Sequence, residues 1–245
     1  MKLVINPKYQ ALKSFIENIE EYFEISENVL YDQRNLIKAI SFEGQDYVVK
    51  RFKVPNVVNR IVYRYFRPSK AKRSYDYSLR IGEVLCPEPI AYIEKRAGGL
   101  LGKSYYISKQ YHYDLTIRPV LLDKSFDKKL RENVLTAFAG FTFSLHEKGI
   151  LHRDYSYGNI LIKYQKNNFD FNIIDVNRMQ FKQLSLNDRL ENFARLSADD
   201  EAMLVIFGRY AELMGKPVNE LLSVATAFRD DFMRKRKLKN KLRGR

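Results

Sequence analysis

The sequence predicts an α+β protein of two lobes, with an antiparallel sheet in the N-terminal part and a mainly helical C-terminal part. Three observations carry that expectation. The early chain alternates short β-branched and aromatic runs with tight turns, as in 36–42, Glu43-Gly44-Gln45 and 47–52. The later chain shows apolar residues at helical spacing, above all in 127–148. With 245 residues and 45% apolar side chains, there is enough material to bury a core.

In order along the chain, residues 9–25 place Leu12, Phe15, Ile16, Ile19, Tyr22 and Phe23 on one helical face. Strands follow at 29–31, 36–42 and 47–52. A basic helix over 56–66 is broken by Pro68, and a second helix over 69–84 stops at Cys86-Pro87-Glu88-Pro89. Residues 90–95 and 103–109 form a hairpin around Ala97-Gly98-Gly99, with Tyr105-Tyr106-Ile107 alternating onto a cleft. The N-lobe is expected to span 1–110 and the C-lobe 111–245. Within the latter, 127–148 is the longest helix, carrying Leu130, Val134, Leu135, Phe138, Phe141 and Leu145 on its apolar face. His146 in its last turn suits a helix C-terminus, and Gly149 ends the helix. A hairpin over 160–164 and 169–174 and three helices over 186–238 complete the reading.

Composition narrows the classes. The 43 Lys and Arg against 29 Asp and Glu leave a net charge of +14, and the excess is clustered. Nine basic residues and no acid lie in 50–73, and nine more in 229–245. Such patches attract polyanions: nucleic acid, anionic lipid or a phosphorylated glycolipid. The solitary Cys86 excludes an intramolecular disulfide and reads as a packed thiol. No apolar run is long enough to span a bilayer, and the first residues lack a signal-peptide pattern, so a cytoplasmic location is expected. His112 has no second His or Cys at metal spacing.

The chemistry is concentrated in residues 150–162, an apolar entry, a polar turn and a short strand. Here His152-Arg153-Asp154 is followed five residues later by Asn159. That order is the catalytic loop of protein-kinase-like phosphotransferases, in which the Asp orients a hydroxyl and accepts its proton while the Asn holds Mg2+. The partners such a loop needs occur in sequence. Lys50, in an apolar third strand, is placed to hold the phosphates of ATP. Asp76 or Glu83, seven residues apart on one helical face, is placed to pair with Lys50, Asp76 being preferred as nearer the helix middle. Asp175, at the end of an apolar strand, is the second metal ligand, and Ser108-Lys109-Gln110 is the segment offering backbone groups to adenine. Together these predict a protein-kinase-like fold with ATP and Mg2+. There are departures from protein kinases. No glycine precedes Gly44, so Arg34 or backbone amides of Asp32-Gln33-Arg34-Asn35 take the place of a glycine-rich flap. Asp175 is followed by Val176-Asn177, and no long peptide-holding segment fits before 186. Both features favour a small or carbohydrate acceptor.

The segments Arg34-Asn35-Leu36-Ile37-Lys38, Val49-Lys50-Arg51-Phe52, Ser69-Lys70-Ala71-Lys72-Arg73-Ser74-Tyr75-Asp76, Pro87-Glu88-Pro89-Ile90-Ala91-Tyr92-Ile93-Glu94 and Ile174-Asp175-Val176-Asn177-Arg178, with the catalytic loop, carry a family likeness. The chain resembles the lipopolysaccharide core kinases, the Kdo and heptose kinase family of Gram-negative bacteria. The resemblance implies phosphorylation of a Kdo or heptose hydroxyl of a glycolipid. It also implies that the basic stretch 60–73, with Tyr63, Tyr65 and Phe66 interleaved, faces that glycolipid or the anionic inner leaflet, peripheral to the membrane. Nucleic acid is the disfavoured polyanion. The family usually has Glu where Asp76 stands, which supports Asp76 over Glu83. Three rival readings are an aminoglycoside- or choline-type kinase, an RNA-associated or atypical protein kinase, and a non-catalytic scaffold of kinase fold.

Overall fold

A computed structural model describes residues 1–33, 35–82, 84–166 and 168–242. The chain divides into two compact units, Met1–Tyr111 and His112–Arg245.

The first unit is built on a six-stranded antiparallel sheet in the order β1-β5-β6-β4-β3-β2. Its strands are β1 (Lys2–Ile5), β2 (Val29–Asp32), β3 (Asn35–Phe42), β4 (Gln45–Phe52), β5 (Pro89–Ala97) and β6 (Leu100–Lys109). The expected meander is present, and β1 adds an edge strand that sequence reading left out. It pairs with β5, Leu3 opposite Ile93. Asn6 locks that edge by donating its side-chain amide to the Pro89 carbonyl at 2.8 Å.

Each sheet face is covered. On one, α1 (Lys13–Glu17) and α2 (Ile19–Ile25) bury Phe15, Ile16, Ile19 and Phe23 against Ile40, Tyr47, Val49, Ile93, Tyr105 and Ile107. The predicted single helix over 9–25 is therefore a 3-10 turn (Pro7–Leu12) followed by two short helices that break at Asn18. Lys38 on β3 caps α2: its buried ammonium donates to the carbonyls of Phe23 and Ser26, both at 2.7 Å. On the other face, α4 (Lys70–Ile81) packs Ala71 and Tyr75 on Phe52 and Tyr92. Ser69 caps its N-terminus and Gly82, at φ 84°, ends it. This packing sorts the three residues expected to alternate onto a cleft. Tyr105 and Ile107 are wholly buried with the α1 and α2 side chains, while the Tyr106 hydroxyl meets that of Ser78 on α4 at 2.8 Å. Tyr106 alone of the three stays partly exposed, on the face that carries α4.

Between β4 and α4 lies α3 (Val57–Tyr65), with no buried residue. Arg60 and Arg64 turn back to the β5–β6 hairpin, donating to the carbonyls of Leu101 at 2.8 Å and Gly98 at 3.3 Å. Its apolar residues Val57, Val58, Ile61 and Tyr65 are exposed.

The second unit is organised around α6 (Lys128–Glu147), whose N-cap Asp127 accepts from the Leu130 amide at 2.7 Å. Val134, Leu135, Phe138 and Leu145 of its predicted face are buried. Strands β7 (Leu115–Thr116), β9 (Ile160–Gln165) and β10 (Asn168–Ile173) form one small sheet, and β8 (Ile150–His152) pairs with β11 (Met179–Phe181). Helices α5 (Ile117–Leu122), α7 (Leu186–Asn192), α8 (Asp200–Met214) and α9 (Val218–Leu242) complete it. No helix among the described residues is long and apolar enough to cross a membrane.

Candidate active site

In the second unit, β8 ends at His152 and delivers Asp154 into a turn that closes with a 3-10 segment, Tyr157–Asn159. Buried Tyr155 pins the turn from below. Thr142 Oγ1 donates to the Phe138 carbonyl at 2.9 Å, so the Tyr155 hydroxyl donates to Thr142 Oγ1 at 2.8 Å, its ring stacked on Phe138. His152 pins it from within. Its Nδ1 accepts from the Asp154 amide at 3.1 Å, which leaves the proton on Nε2, donated to the Ile174 carbonyl at 2.9 Å. Burial pushes this imidazole below the usual histidine range, so it holds the loop as a neutral bridge.

The same interactions bring the predicted metal residues together. Asn159 donates its side-chain amide to the Asp154 carbonyl at 2.9 Å, which orients its oxygen away from the loop. The Asn159 carbonyl accepts from the Ile174 amide at 3.0 Å, and Asp175 directly follows that bonded residue. Asp175 is left-handed (φ 58°), an uncommon conformation outside glycine, and its carboxylate accepts from the Asn177 side chain.

Two arginines without an assigned role converge on Asp154. Pairing of β11 with β8, Met179 opposite His152, carries Arg178 to 3.5 Å from one carboxylate oxygen. Arg195, on the 3-10 turn Phe193–Leu196, lies 3.4 Å from the other. Behind the loop runs a buried polar chain. Asn192 donates to the His152 carbonyl at 2.9 Å and accepts from His146 Nε2 at 3.1 Å, and His146 Nδ1 takes the Tyr210 hydroxyl at 2.6 Å. His146 is thus not a cation serving a helix end. Burial pushes its pKa down to about 4, and it acts as a neutral link.

In the first unit, Lys50 lies on β4 between Ile37 and Tyr106, and its ammonium sits 5.4 Å from the Phe52 ring on the face that α4 covers. Asp76 belongs to α4 and forms an i,i+4 ion pair with Lys72 at 2.6 Å. The alternative acid, Glu83, and the phosphate candidate Arg34 lie outside the described residues. Ser108 is inside the sheet, in register with Val48 and Pro89, and its side chain is buried. The amides of Lys109 and Gln110 are given to the carbonyls of Glu88 and Asp46, both at 2.9 Å. Cys86 is buried, and that burial pushes its thiol up to about 12, a packed and unreactive group.

The sequence profile of the lipopolysaccharide kinase (Kdo/WaaP) family matches residues 78–210, more than half of the chain. A solved structure of WaaP in complex with acyl carrier protein superposes at TM-score 0.65 and 16% identity, covering 96% of this chain and 98% of that one. A MAP kinase, LmaMPK10 from Leishmania major, superposes at TM-score 0.50 and 18% identity, covering 87% of this chain and 65% of its own. No curated protein matches the sequence. The two superpositions show a protein-kinase-like fold, and the profile adds the kind of kinase. The chain belongs to the lipopolysaccharide kinase (Kdo/WaaP) family, ATP-using phosphotransferases.

Proposed function

We propose that this protein transfers the γ-phosphoryl group of ATP to a sugar hydroxyl of the lipopolysaccharide inner core, on Kdo or heptose. The observation that carries the reading is the loop that presents Asp154 while tying Asn159 to the strand end bearing Asp175. Transfer forms a bond from the acceptor oxygen to the γ-phosphorus and breaks the bond to the β,γ-bridging oxygen. Asp154 orients the hydroxyl and takes its proton, and ADP leaves. Lys50 would steady the α- and β-phosphates with Asp76 as its orienting acid, and the backbone around Ser108 would meet the adenine.

The donor set suits a hard divalent cation. Asn159 and Asp175 offer oxygen only, and the described residues hold no cluster of three His, Cys, Asp or Glu. A cation there would complete its shell with phosphate and water, as magnesium does. Asn159 and Asp175 would hold it, and it would supply charge neutralisation on the phosphate oxygens.

Location at a membrane surface is supported by α3. Its arginines are turned to the hairpin, so Val57, Val58, Ile61, Tyr65 and Phe66 face outward beside the remaining cations of 50–73. An exposed apolar face flanked by basic residues suits the headgroup region of an anionic leaflet.

A transfer assay with γ-labelled ATP against core glycolipid, peptide, RNA and an aminoglycoside separates the readings. Label is expected on the glycolipid alone, and Asp154→Ala should lower turnover by about 10²–10⁴-fold with ATP binding retained. Wild-type turnover in that variant, or label on peptide but not glycolipid, would overturn the proposal.

A further inference from the structure

Two cations against one carboxylate is more positive charge than Asp154 needs. Elsewhere in the same unit, arginines close fully on their acids: Arg131 on Asp199 at 2.8 Å and Arg189 on Glu147 at 2.5 Å. The contacts to Asp154 are longer, 3.5 Å from Arg178 and 3.4 Å from Arg195, beyond the span of a strong charge-assisted hydrogen bond. Both guanidinium groups are also placed by the fold. Arg178 immediately precedes the strand paired to β8, and Arg195 stacks over the Phe232 ring of α9 at 5.2 Å. Their side chains remain 48% and 44% exposed, against 27% for Asp154, so each keeps a face toward incoming solute.

We infer that Arg178 and Arg195 form an anion-binding pair that recognises a carboxylate or phosphate on the acceptor, next to the hydroxyl presented to Asp154. A guanidinium carries five N–H donors in a planar fork that matches either anion bidentately. An acceptor bearing such a group exchanges two long contacts for short ones, releases Asp154 from its cations and frees it to take the hydroxyl. A neutral acceptor cannot make that exchange, and a cationic one is repelled by the net positive charge. The pair is thus a specificity element rather than a second base. This rests on the reading of Asp154 as the residue that orients the acceptor.

The test uses three acceptors: a Kdo-bearing glycolipid, the same molecule with its carboxyl groups methyl-esterified, and the same molecule dephosphorylated. Wild type is compared with Arg178→Gln, Arg195→Gln, the double variant and the double lysine variant. Wild-type kcat/KM should fall about tenfold or more for whichever modified acceptor lacks the recognised anion. That preference should collapse in the double Gln variant and return in part with lysine, while KM for ATP stays unchanged. Which modification matters identifies the anion. Equal wild-type turnover of all three acceptors would overturn the inference and leave the sugar-kinase reading standing. So would a loss in the double Gln variant by one factor on every acceptor, which would assign the arginines to the transferring phosphoryl group. Failure of wild type to label any glycolipid would instead remove the proposed function itself.

Discussion

His146 makes the protein's stability depend on pH in a predictable direction. The imidazole is buried, bonded to Asn192 and Tyr210, and held neutral, with its pKa lowered to about 4 first by desolvation. In the unfolded chain it returns to about 6.5. Between those values the unfolded state binds the extra proton, so stability rises with pH across this window. The contribution is complete above about pH 6.5 and is lost as pH falls toward and through 4. Linkage puts the loss at about 2 kcal/mol by pH 5 and about 3 kcal/mol by pH 4. Buried His152 shifts in the same direction and adds to the slope. Urea unfolding at pH 7.5, 6.5, 5.5 and 4.5, on wild type and His146→Gln, isolates the His146 share. Gln cannot take up the proton, so its profile should be flatter by about 2 kcal/mol between pH 7.5 and 5, whatever its absolute stability. Parallel profiles for the two proteins would refute the assignment of His146 as a buried neutral link.

Two further perturbations test the scaffold. Lys38→Met removes the donor that satisfies the Phe23 and Ser26 carbonyls at the end of α2, and should cost about 2–4 kcal/mol in chemical denaturation. A loss below about 1 kcal/mol would mean that water replaces the ammonium. Gly149, at φ 67°, accepts from the Lys182 amide at 3.0 Å, and a Cβ there would meet the Lys182 carbonyl oxygen at 2.6 Å. Gly149→Ala should therefore cost about 2–3 kcal/mol and lower kcat, because this residue feeds β8 into the candidate catalytic loop. Unchanged stability in denaturant would show that the turn relaxes freely.

Hydrogen bonds from two sides account for the placement of the loop. Tyr155 and His152 fix the backbone through α6 and the strand end before Asp175, so the placement of Asp154 does not rely on its own half-buried side chain. Asn192 and His146 hold the same loop from the side of α7 and α8. The arginines stand on the solvent side, where the acceptor is proposed to bind.

By itself the sequence determined the fold class and the family, and it marked the loop proposed here as catalytic. These are local signals: alternation along β3 and β4, the apolar face of α6, and His152, Asp154 and Asn159 at a spacing set by one turn of chain. It could not show that residues 9–25 break at Asn18, because apolar periodicity runs on through the break. Nor could it show that β1 pairs with β5, a contact across the whole first unit. His146 looked like an ordinary polar residue at a helix end because burial by α7 and α8 leaves no mark in its own neighbours. Arg178 and Arg195 carry no periodic signal, and Arg195 reaches Asp154 from 41 residues away. Only the tertiary structure could bring them to Asp154, because charges gathered by long-range packing are invisible to any reading of adjacent residues.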